Sequence, residues 1–168
     1  GYPDTDDTAI VILALHKAGV GREAIAKAVR WLDGMRSGNG AWGSFDVDNN
    51  RELVTKIPFA DFGETIDPPT EDVTAHVVEA LACLGYSPRH AILQGALAYL
   101  LRMQEPDGSW WGRWGVNYVY GIGAVLPALQ AAGFSPHHPA LARAVTWLRK
   151  HQLPSGGWGL SLIHISEP

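Results

Sequence analysis

Three carboxylates fall within four residues at Asp4, Asp6 and Asp7, and a second acidic group, Asp72, stands one helical turn before His76. Clustered carboxylates repel one another when ionised, so at least one is expected to hold its proton at neutral pH. An uncharged carboxyl of that kind suits the protonation of a weak base. On a helix Asp72 and His76 share a face and can hydrogen-bond. A histidine held as a cation by Asp72 can then donate to the Asp4/Asp6 cluster and stabilise its conjugate base. Plainer readings use the same residues. Asp6 and Asp7 suit a helix N-terminus, with Thr5 as the N-cap. The Asp–His spacing also suits a structural ion pair, and clustered Asp side chains can bind a divalent cation.

The elements that would carry these groups are set by an internal repeat. Trp31 leads to Trp42, Tyr99 to Trp110 and Trp147 to Trp158, each time with Asn39-Gly40, Asp107-Gly108 or Gly156-Gly157 just before the closing Trp. An apolar helix precedes each unit, expected over Asp7 to Ala18, Asp72 to Leu84 and Asn117 to Ala132, with Pro127 kinking the last. The helices that follow, Arg22 to Met35, Pro88 to Met103 and Pro139 to His151, alternate apolar and charged residues at helical spacing and read as outer, half-solvated partners. The fold class is therefore all-α, a row of α/α helical hairpins with buried inner helices. Asp46 to Pro69 interrupts the row as an insertion.

Composition narrows the function. The chain has 168 residues, a net charge of −4 and 46% hydrophobic residues, which suits a globular domain. No basic run offers a nucleic-acid footprint. The single cysteine, Cys83, excludes an internal disulfide and reads as a core residue. The longest apolar run, Ala9 to Leu15, falls far short of the ~18 residues of a membrane span, so membrane association is expected to be peripheral. Asp46-Val47-Asp48-Asn49-Asn50 is similar to the start of a calcium loop, but lacks the Gly and the closing Glu.

Asp4-Thr5-Asp6-Asp7-Thr8-Ala9 resembles the DxDD acid motif of the squalene–hopene cyclases, and the three repeats resemble that family's QW motifs. Gln104 and Gln152 fill the Gln position, and Arg36 replaces it in the first repeat. Pro58 to Glu64, Asp72 to His76 and Gly112 to Tyr120 fit the same family, over Gly1 to about Gly159. The resemblance implies part of an α6–α6 barrel catalytic domain over residues 1–159, with 160–168 as a non-matching tail and the rest of the barrel elsewhere in a longer protein. It implies Asp6 as proton donor, supported by Asp4, Asp7, His76 and Asp72. It places Phe45, Phe59, Ala60, Phe62, Trp114 and Tyr120 around the cavity, where aromatic faces stabilise cations without acting as nucleophiles. Phe45 stands where some relatives carry Tyr. No metal or organic cofactor is implied.

The implied substrate is squalene and the implied product a hopene- or hopanol-type pentacycle. The triple-Asp cluster favours an unoxidised alkene over an epoxide, which needs only a weaker acid. The implied location is the cytoplasmic side of a bacterial membrane, reached through parts outside this chain, and homodimerisation stays open. A diterpene cyclase with the same acid motif is an alternative, although the chain has no basic patch for a diphosphate. A non-catalytic α/α binding module is another. A prenyltransferase subunit would need a zinc set of Asp, Cys and His. Trp42, Trp110 and Trp158 are expected to pack on their own repeats, outside any substrate site.

Overall fold

The structure, a computed structural model, describes residues 2–48, 67–115 and 117–159. Six helices follow one another: α1 (Thr5–Ala18), α2 (Arg22–Gly34), α3 (Glu71–Cys83), α4 (Ala91–Arg102), α5 (Tyr118–Ala131) and α6 (Pro139–Lys150). Among the described residues there is no extended strand. Helix α3 packs against both α1 and α5, while α2, α4 and α6 lie behind α1, α3 and α5 respectively. That is the expected inner row with outer helices behind it.

Burial follows position in the row more than composition. Central α3 buries nine of its residues, from Glu71 to Leu81. Helix α1 is equally apolar, yet leaves Ile10 and Val11 45% and 54% exposed, so the expectation of all-round burial fails there: among the described helices it packs mainly on α2 and α3. Helix α5 runs unbroken through Pro127, which forgoes one backbone hydrogen bond. Cys83 corrects another expectation. It ends α3 and is exposed, because it lies on the face turned away from the core, on which its neighbours Ala82 and Leu84 still pack.

One bracket closes all three repeats. Ser37, Glu105 and Leu153 each donate their N–H to the carbonyl four residues on, at 2.9 Å. The indole N–H of Trp42, Trp110 and Trp158 returns to the carbonyls of Leu32, Leu100 and Leu148 at 2.7, 2.7 and 2.8 Å, satisfying an acceptor that the helix end leaves free. Gly40 and Gly108 adopt φ of 86° and 96°, a region that glycine reaches at no steric cost. A Cβ on Gly40 would lie 2.6 Å from the Gly95 Cα of α4, so this turn seats the next outer helix.

Side chains join consecutive repeats as well. Gln104 donates to the carbonyl of Gly108 in its own turn at 2.9 Å and to that of Ala140 in α6 at 2.8 Å. Arg36, at the departing position, makes the equivalent outward bond to the Ala91 carbonyl of α4 at 3.1 Å. The start of α3 is fixed to the first turn in a similar way. Thr70 donates its N–H to the Trp42 carbonyl, and Trp42 donates its N–H to the Thr74 hydroxyl, both at 3.1 Å.

Candidate active site

The acidic end of α1 is organised by Asp4. Its backbone is extended, with φ −118° and ψ 135°, and its carboxylate accepts the Asp7 N–H at 2.7 Å. A short oxygen-bearing side chain at the N-cap is what satisfies a free N–H of the first turn. The cap is therefore Asp4, not Thr5. Thr5 is the first helical residue, fully buried, and donates its N–H to the Ser44 carbonyl at 2.8 Å. Asp6 and Asp7 follow in the first turn and diverge: Asp6 turns toward α3, while Asp7 is exposed and lines with Asp4 a groove between α1 and α2.

Asp6 meets His76 directly, with Oδ1 2.5 Å from Nδ1 and both side chains largely shielded. Burial is the largest influence on His76 and disfavours its charged form. The hydrogen bond and charge of Asp6, with the charges of Asp72 and Glu79 behind them, outweigh burial and raise its pKa above the ordinary histidine value. The Asp4 carboxyl is also raised, first by burial and then by the charges of Asp7 and Asp6, against the lowering effect of the Asp7 and Asp6 N–H groups. Mutual repulsion thus contributes, but behind desolvation.

Asp72 corrects the expected Asp72–His76 hydrogen bond. Its Oδ1 accepts the Val73 N–H at 3.0 Å and its Oδ2 accepts the Trp114 N–H at 2.9 Å, which leaves His76 to Asp6. The turn spacing permits an i,i+4 bond, but a carboxylate arriving from α1 takes the imidazole instead. Asp72, 1% exposed, supports the histidine by charge alone and at the same time anchors the loop bearing Trp114.

Aromatic rings gather beside the Asp6–His76 pair. Tyr120 stands edge-on to His76 with centroids 6.2 Å apart, and its hydroxyl pKa is raised by burial and then by Asp6 and Asp72. Phe45 and Trp114 meet edge-to-face at 5.9 Å and 86°, and Tyr2 packs on Phe45 at 6.0 Å. The Arg113 guanidinium lies 5.6 Å from the Trp114 ring centre. Phe45, Trp114 and Tyr120 are 37%, 49% and 37% exposed, so their faces stay open to an apolar ligand or a further element.

The structure thus brings together Asp6, His76, Asp72, Tyr120, Trp114 and Phe45. Phe59, Ala60 and Phe62 lie outside the described residues, as does Asn49-Asn50 of the calcium-like stretch. Among the described residues no three His, Cys, Asp or Glu side chains gather as a metal site would require, and no helix is long and apolar enough to cross a membrane. Sequence reasoning missed Tyr2 and Asp67; the only local signal at Asp67 is an acidic residue before Pro68-Pro69.

Glu71, beside Asp72, is 5% exposed, and burial, then the charges of Asp72 and Glu105, push its pKa from 4.5 to about 7. A raised carboxyl pKa favours folding fully below the unfolded value, and that benefit is lost as pH rises through the folded value. Glu71→Gln should therefore be more stable than the parent above pH 7, by up to about 3 kcal/mol, with the difference vanishing below pH 4.5. Denaturant unfolding of both proteins across that range measures it, and a difference independent of pH would refute the assignment.

The squalene–hopene cyclase C-terminal domain model matches residues 1–165. A squalene–hopene cyclase of Alicyclobacillus acidocaldarius is 53% identical over 130 residues, covering 74% of this chain and 21% of that protein. One from Schizosaccharomyces japonicus is 46% identical over 127 residues, covering 74% and 19%. A dammaradiene synthase of Dryopteris crassirhizoma is 37% identical over 140 residues, covering 74% and 20%. The chain thus spans about a fifth of the length of these relatives. The apo structure of the type II terpene cyclase MstE from Scytonema superposes with a TM-score of 0.68 at 23% identity, covering 91% of this chain and 42% of that one, which establishes the α/α fold. On the domain match and the shared identity, this chain belongs to the squalene–hopene cyclase family.

Proposed function

We propose that the protein containing this chain cyclises squalene to a pentacyclic hopene- or hopanol-type product, with Asp6 delivering the initiating proton. The observation that carries the reading is the 2.5 Å Asp6–His76 pair set beside a cluster of open aromatic rings. An alkene is protonated only by an uncharged acid whose conjugate base is well stabilised. His76, its pKa raised by the hydrogen bond and charge of Asp6 and by the charge of Asp72, supplies a cationic donor to that conjugate base, and Asp4 caps the turn that carries Asp6. Once the proton has moved, positive charge travels along the folding polyene. The faces of Phe45, Trp114 and Tyr120 stabilise it through their quadrupoles without trapping it as nucleophiles would, and Phe59, Ala60 and Phe62 complete the lining in this reading.

No metal or organic cofactor enters this mechanism. The substrate's solubility in a bilayer supports peripheral attachment to a membrane, at its cytoplasmic face in this reading, through parts of the protein outside this chain. The isolated 168 residues should form no cyclised product, because the exposed faces of α1 and of the aromatic cluster lack their covering elements. The reading is tested by offering the full-length enzyme squalene and its terminal epoxide separately. Turnover of squalene to a pentacycle is expected, and turnover of the epoxide alone would overturn it.

A further inference from the structure

We infer that Asp67 is a positioning residue of this site, setting the place of the Phe45 ring and tying it to the acid-bearing end of α1. The inference rests on the cyclase reading above. Asp67 is 6% exposed and receives three consecutive backbone N–H groups: Ser44 on Oδ1 at 3.0 Å, and Phe45 and Asp46 on Oδ2 at 2.5 and 2.9 Å. Successive amides aimed at one anion make a nest, and a charged acceptor binds them about twice as strongly as a neutral one. The loop sits directly on its clamp, since a Cβ on Gly43 would lie 2.6 Å from the Asp67 carbonyl oxygen and 2.8 Å from Oδ2.

Two connections run from this clamp to the chemistry. The Ser44 carbonyl accepts the Thr5 N–H at 2.8 Å, one residue before Asp6. Phe45 in turn meets Trp114 edge-to-face, and the Trp114 N–H is held by Asp72 at 2.9 Å. Each ring of the pair is thus fixed through its own backbone by a different buried carboxylate, one just before α3 and one in its first turn. Because both carboxylates belong to one short segment, the relative placement of the rings and of Asp6 is set at the start of α3.

A ring held this way can stabilise a passing cation only while it keeps its place, and a displacement of about 1 Å can cost on the order of a hundredfold in rate. When the cation outlives its support, it loses a proton from a neighbouring carbon. The proton gained from Asp6 and the one lost balance, leaving a partly cyclised alkene isomeric with squalene. Asp67→Asn puts an amide NH2 where backbone donors converge, and Asp67→Glu keeps both acceptor oxygens but shifts them.

The test compares products from squalene in the full-length enzyme and its Asp67→Asn, Asp67→Glu, Phe45→Leu and Asp6→Asn variants. Both Asp67 variants should lose about tenfold in kcat/KM and shift toward the partly cyclised products seen with Phe45→Leu. The product ratio is a property of each turnover and does not depend on how much enzyme is folded. An unchanged product ratio in Asp67→Asn, or no turnover in either Asp67 variant, as a purely structural role would give, overturns the inference. Retained turnover in Asp6→Asn would instead sink the cyclase reading itself, whatever the Asp67 variants do.

Discussion

Asp6→Asn in the full-length enzyme is expected to lower squalene turnover by up to about 10⁴-fold while leaving the fold intact. The amide nearly matches the carboxyl in shape, can still meet His76, and carries no proton acidic enough for an alkene. Asp4 remains as the helix cap, so the first turn of α1 is not disturbed. His76→Ala should act more mildly, raising the barrier by about 2 to 4 kcal/mol, the range for loss of one preorganised donor. If Asp6 only decorated a helix terminus the order would invert, since Asn is well tolerated there and an emptied His76 site would leave the half-buried Asp6 carboxylate without its partner. Steady-state turnover of the two purified variants, with circular dichroism to verify folding, separates the cases. Near-normal activity in Asp6→Asn would reduce Asp6 to a surface acid of the helix.

The second large effect is on stability. Trp110 is fully buried and its indole N–H satisfies the Leu100 carbonyl. Trp110→Ala should cost about 3 to 5 kcal/mol for the cavity, and about 1 to 3 kcal/mol more for the carbonyl left without a donor. Trp110→Phe keeps most of the apolar area and removes only the donor, so it should cost little beyond that second contribution. The measurement is the order of apparent Tm values, wild type above Phe above Ala. Equal losses in the two variants would show that the hydrogen bond, not the packing, holds the turn.

The helices were legible in the sequence because their signal is local. The inner helices expected at Asp7 to Ala18, Asp72 to Leu84 and Asn117 to Ala132 appear at Thr5–Ala18, Glu71–Cys83 and Tyr118–Ala131. The Trp brackets were legible too, since each closes within ten residues of chain. The site was legible as a set of residues but not as a set of bonds. Helical spacing allowed Asp72 to hold His76, yet periodicity says nothing of a carboxylate that enters from 70 residues away. Asp67 was invisible for the same reason, its donors lying 21 to 23 residues upstream in a loop without periodicity. The exposure of Cys83 and of one face of α1 depends on which helices have neighbours, which no residue in those helices encodes.

The joint between repeats is the same whether the chain between its halves is long or short. Arg36 reaches the Ala91 carbonyl across 55 residues, and Gln104 reaches that of Ala140 across 36. The extra chain is all spent between the first turn and α3. Insertions, deletions and exchanges in that stretch can therefore be sampled by descendants without re-deriving how the hairpins stack. A lineage built on such a joint can vary that stretch faster than it changes its shape.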